Sequence, residues 1–122
     1  MVVRCIKTSI SNKDFYVINS VMDEYLKIDS MFYVYGIRLC QNKLIYIYIY
    51  TDWHLIEVPL EMFSIVDNSI PSIWKCKFYD NGDFTLWPEL FYKNDFFENF
   101  SEYNKEERSL FEHEIFAEIE GR

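Results

Sequence analysis

The sequence predicts an α+β domain: a curved antiparallel β-sheet or small SH3-like barrel, followed by C-terminal helices. Three observations predict it. The run from Leu44 to Tyr50 reads L-I-Y-I-Y-I-Y, a strict alternation of the kind that suits a strand. Turn residues then recur every few positions between short apolar runs, as in an antiparallel meander. From Pro88 onward the style changes to charged segments with a four-residue apolar spacing, which suits helices. One domain is expected over residues 1–118, with the sheet or barrel in 1–87 and the helical part in 88–118.

Taken in order, Val2 to Lys7 reads as a first strand, Ser9 to Asp14 as a turn and Phe15 to Val21 as a second strand. Asp23 to Ile28 reads as a turn running into a weak third strand. Phe32 to Cys40 is one strand with Gly36 inside it, a candidate bulge. Gln41-Asn42-Lys43 turns the chain into the central strand. There Ile45, Ile47 and Ile49 share one face and are expected in the core. Leu44, Tyr46, Tyr48 and Tyr50 share the other face, which is either covered by another element or left wet as a binding surface. The run holds no Gly, Pro or charged residue. As an edge strand it would invite aggregation, so an interior position is expected.

Thr51 and Asp52 close that strand, and Trp53 to Val58 makes the next. Pro59 interrupts the ladder, Leu60 to Met62 reads as one 3₁₀ turn, and Phe63 to Val66 as a strand. Trp74 to Tyr79 and Phe84 to Trp87 flank Asp80-Asn81-Gly82-Asp83, a hairpin loop by its turn chemistry. Pro88 to Tyr92 reads as a helix opening, then Asp95 to Tyr103 and Lys105 to Glu118 as helices. Asn104 is the expected N-cap of the last, with Glu106 and Glu107 in its first turn. Phe111, Ile115 and Ile119 form its apolar stripe. The final Ile-Glu-Gly-Arg spells a factor Xa recognition site; residues 119–122 are read as an expression scar and given no function.

The net charge is −8. That argues against nucleic acid or anionic lipid as a direct partner, since both call for a positive field. No apolar run is long enough to span a membrane, and the opening residues lack the apolar segment of a signal peptide, so a cytoplasmic location is expected. Cys5, Cys40 and Cys76 show no metal-ligand spacing and are read as buried free thiols in a reducing compartment. Neither metal nor cofactor is expected.

The charge is unevenly placed. Residues 1–93 hold eleven acids against nine bases, net −2, whereas residues 94–120 hold nine acids against two bases, net −7; Arg122 adds +1. One account is a solvated helical face. The other is an electrostatic landing surface for a basic protein, built from Asp95, Glu98, Glu102, Glu106, Glu107 and Glu112. Tyr103 and Phe100 are its candidate aromatic anchors, although packing against the sheet competes for Phe100.

No hydrolase elbow, phosphate loop or zinc-protease motif occurs, and three glycines are too few for a phosphate cradle. His113, between two glutamates, reads as a surface residue. His54 is the better catalytic candidate, but no nucleophile lies near it in sequence. Asp80 and Asp83 are explained by the hairpin without calcium. The chain is therefore not expected to be an enzyme. The alternatives are an interaction module using its Tyr face and an enzyme whose site is scattered over the sheet.

Two stretches carry a resemblance. V-R-C-I-K-T near the start precedes the strand at Phe15 to Val21. L-E-M-F-S-I-V-D at 60–67, I-P-S-I-W at 70–74 and D-N-G-D-F-T-L-W-P-E-L-F at 80–91 follow later. Together they resemble the immunity proteins of polymorphic and contact-dependent toxin systems, small bacterial proteins encoded beside delivered toxins. The matching residues cover about half the chain and belong to the scaffold. The resemblance implies a protein that binds one toxin domain and blocks it without chemistry. Many such toxins are nucleases, whose clefts are basic because they grip phosphates.

Overall fold

The structure, a computed structural model, describes residues 1–8 and 25–121. The second strand read at Phe15 to Val21, with the turn before it, lies outside the described residues. In a three-stranded sheet, β1 (Val2–Cys5) lies between β2 (Met31–Tyr33) and β6 (Phe63–Asp67). A five-stranded sheet is built from β3 (Gly36–Leu39), β4 (Ile45–Thr51), β5 (His54–Pro59), β7 (Trp74–Phe78) and β8 (Phe84–Pro88), in the order β5-β4-β3-β8-β7. All described pairings are antiparallel. Helices α1 (Phe96–Ser101), α2 (Lys105–Leu110) and α3 (Ala117–Glu120) follow, with a π-helical segment, Phe111–Phe116, joining the last two. Among the described residues neither sheet closes on itself, so the α+β class holds with open sheets there and not as a barrel.

β4 is interior, between β3 and β5, and it is covered on both faces. Ile47 and Ile49 are fully buried, in one core with Val3, Cys5, Val34, Val58 and Met62, while Ile45 nearer the strand's start is half-buried. The Tyr face lies under the helices. Tyr48 stacks on Phe97 with ring centroids 5.4 Å apart, and Tyr50 meets Phe111 at 5.0 Å. Tyr46 and Tyr48 are thereby closed to solvent, and of the tyrosines on this face only Tyr50 stays part-exposed. On the same face Arg38 holds the Glu57 carboxylate through Nε and Nη2, at 3.0 and 2.6 Å, and the Tyr48 hydroxyl donates to the same carboxylate. The trio ties three adjacent strands. Burial, and then the Glu57 charge, push the Tyr48 hydroxyl pKa up.

The stretch read as one strand from Phe32 to Cys40 divides between the two sheets. Val34 and Tyr35, consecutive and both buried, break the alternation that a single half-buried strand would keep. Their amides donate to Met1 and Tyr48 carbonyls, one toward each sheet. Gly36 is no bulge; it pairs in register with Tyr48. A Cβ there would lie 2.7 Å from Trp87 Cδ1, so glycine is what lets the indole rest on the strand. The weak strand expected up to Ile28 is absent from 25–28. Leu26 is core instead, and Ser30 N closes a turn on Lys27 O at 3.0 Å.

The 3₁₀ turn at Leu60–Met62 is where the sequence predicts it, and Glu89–Tyr92 forms a second one in place of a longer helix. The loop at 80–83 is a hairpin with Gly82 at φ 92°. Asp83 there accepts from the Gln41 amide at 3.0 Å, joining two turns.

α1 ends in a Schellman arrangement: Tyr103 N donates to Phe100 O and Asn104 N to Asn99 O. Asn104 then caps α2, its Oδ1 accepting from the amides of Glu106 and Glu107 at 3.0 and 3.2 Å. In an α-helix a four-residue spacing overshoots one turn by about 40°. The wider π turn absorbs that overshoot, and Phe111, Ile115 and Ile119 all stay buried. Ile119 is thus core, and Glu120 accepts from the Tyr35 hydroxyl. Both belong to the fold, which extends past residue 118.

Candidate protein-docking site

Two exposed aromatic residues stand out by their backbone. Trp53 is 66 % exposed with φ 65°, and Tyr103 is 55 % exposed with φ 60°. The reasons are local. Thr51 pairs with His54, leaving Asp52 and Trp53 as a two-residue hairpin loop, and Asp52 is left-handed too, at φ 49°. That is the backbone of a type I′ turn, where Asn-Gly is the usual occupant. Tyr103 sits just beyond the α1 cap, at the position where glycine is usual. A bulky residue in the left-handed region is strained and persists only where its surroundings hold it.

Arg108, in the last turn of α2, holds both. Its Nη1 donates to Trp53 O at 2.6 Å, and its Nε and Nη2 donate to Phe100 O at 3.0 and 2.6 Å. The guanidinium lies 3.7 Å from the Phe100 ring centroid and 4.4 Å from that of Tyr103. Arg108 therefore fixes the hairpin tip against the α1–α2 corner with both aromatic rings turned to solvent.

Beside the tip, the end of β4 and the helix enclose a groove of about 600 Å³. Tyr50, Thr51, Asp52 and Trp53 line one side, with Glu112, Phe116 and Glu120, spaced four apart, on the other. Glu120 is engaged by Tyr35. Among the described residues, Asp52 and Glu112 form no ion pair.

The residues expected to bind a partner divide into groups. Tyr103 and Glu102, at the end of α1, and Glu112, in the groove, lie at this site. Asp95 and Glu98 are exposed at the other end of α1. Glu106 is exposed, with Lys93 Nζ at 4.0 Å. Glu107 is a correction. It is only 2 % exposed, and its Oε1 accepts from Lys93 Nζ at 2.8 Å and from Asn99 at 3.4 Å. The hydrogen bond to Glu107 raises the Lys93 pKa. A helix whose first turn meets a preceding helix must turn some of those side chains inward, and Glu107 is one of them. Phe100, 2 % exposed, is likewise packed and serves as the platform under Arg108.

Asp52, Trp53 and Arg108 escaped the sequence reading, which placed Trp53 in a strand. The available signal was length: the apolar runs on either side leave room for only a two-residue loop. His54 lies between the Tyr25 and Tyr103 rings, at 5.6 and 6.1 Å. Among the described residues no group of His, Cys, Asp and Glu is placed to hold a metal, and no helix is long and apolar enough to cross a membrane. The three cysteines are free, but only Cys5 is buried; Cys40 is half-buried and Cys76 exposed, against the expectation of three buried thiols. The chain matches no protein-family model, no curated protein and no solved structure.

Proposed function

We propose that this protein is an immunity protein that binds a cognate toxin domain of nuclease type in the cytoplasm and neutralises it by covering its basic active site. The observation that carries the proposal is the pair of exposed aromatics, Trp53 and Tyr103, held by Arg108 in strained backbone beside Asp52 and Glu112, which form no ion pair among the described residues. Rigid aromatic anchors ringed by charge are how protein partners are gripped, and the acid excess of residues 94–120 suits a basic surface. The scaffold resemblance to immunity proteins supplies the class of partner. The alternative of an adaptor reading partners with its Tyr face loses support, because Tyr46 and Tyr48 on that face are buried.

The test is co-expression with the product of the neighbouring gene. Co-purification of the two, with growth rescued from the toxin, is the expected result. An interface leaving Trp53, Tyr103 and the acids of 95–112 in solvent would overturn the proposal.

A further inference from the structure

We infer that the groove between the β4–β5 tip and the C-terminal helix is a socket for one arginine side chain of the partner. The inference rests on the reading above that the partner is basic. Three features of the groove select that group. Its apolar lining is aromatic, with Trp53, Tyr50 and Phe116, and indole is the best face for a cation. Asp52 and Glu112 line its two sides without an ion pair among the described residues. Among the described residues no Lys or Arg lines it, and Arg108, four residues before Glu112 and close enough to act on the Tyr50 hydroxyl, already has Nε, Nη1 and Nη2 on carbonyl oxygens.

Arginine fits better than lysine. A planar guanidinium stacks on an indole while forking onto a carboxylate, which a compact ammonium cannot do. The molecule already uses this chemistry, since the Arg108 guanidinium lies between the Phe100 and Tyr103 rings while donating to carbonyls. A groove of about 600 Å³ has room for a short loop carrying the arginine.

The experiment is an NMR titration of the ¹⁵N-labelled full chain with the tripeptide acetyl-Gly-Arg-Gly-amide. Its control is the same peptide with citrulline, a neutral isostere of arginine. The three tryptophans report separately, because the Trp74 and Trp87 indole nitrogens are buried and Trp53 is exposed. The expected result is a saturable shift of the Trp53 indole alone, given by arginine and not by citrulline. Glu112→Gln should weaken it about fivefold, and Trp53→Gly should abolish the binding read at the Glu112 amide. No saturable shift with arginine, or an equal shift with citrulline, overturns the inference. If the peptide fails while the neighbouring gene product still binds, the socket falls and the immunity reading stands; the reverse pattern keeps the socket and removes that reading.

Discussion

Arg108 donates to the carbonyl of Trp53 across 2.6 Å, joining α2 to a hairpin tip 55 residues earlier in the chain. The contact holds a tryptophan in backbone that suits glycine.

Trp53→Gly should stabilise the fold and weaken function. Relief of the left-handed strain is worth roughly 1–2 kcal/mol, against about 0.5–1 kcal/mol for the added freedom of glycine when unfolded. The exposed ring leaves little packing to lose. The urea midpoint should rise by an equivalent of about 0.5–1 kcal/mol, while partner affinity falls at least about tenfold. A lowered midpoint would show that the ring supports the fold.

Arg108→Lys should lose most of what Arg108 supplies, because one ammonium cannot reach Trp53 O and Phe100 O together. A cost of about 2 kcal/mol is expected for lysine, and more for Arg108→Ala, since charged hydrogen bonds contribute roughly 1.5–3 kcal/mol. Equal stability of Arg108→Lys and wild type would mean the fork is unnecessary.

Reversal of Glu98, Glu102 and Glu106 to Lys should slow partner association steeply at low salt and little at high salt, since exposed charges are screened beyond about 8–10 Å. Proper controls are Glu61 and Glu89, both exposed. Glu57, an obvious choice from sequence, is unsuitable because it is tied to Arg38 and Tyr48. Stopped-flow rates unchanged by the triple reversal would leave these acids as solvating groups only.

Lys93→Met should destabilise more than Glu107→Gln, because it leaves a buried carboxylate without its cation. The linkage has a definite sign. Lys93 has a raised pKa in the fold, so its contribution is complete below the unfolded lysine value, about 10.4, and is lost as pH rises through the folded one. Denaturation midpoints of wild type and Glu107→Gln should therefore converge in strongly alkaline solution and stay apart at neutral pH. A constant gap would rule out the pair as the source.

Thiol labelling should order the cysteines by exposure. Cys76 is exposed and should react at once, Cys40 slowly, and Cys5 only on unfolding. Burial pushes the pKa of the Cys5 and Cys40 thiols up, which suppresses the reactive thiolate of both. Rapid native labelling of Cys5 would contradict the burial of β1.

The central strand, the 3₁₀ turn at Leu60–Met62, the hairpin at 80–83, the Asn104 cap and the stripe of Phe111, Ile115 and Ile119 were legible in the sequence. Each is specified by residues within a turn or two of one another, through alternation, turn chemistry or capping. The division of 31–39 between two sheets, the inward turn of Glu107 and the left-handed Trp53 were not legible. Their partners are distant: Glu107 meets Lys93 14 residues away, and Trp53 meets Arg108 55 residues away. Local patterning sets which elements form and which side chains share a face. Only tertiary packing decides which face is covered, which carboxylate loses its water, and which strained turn finds the arginine that holds it.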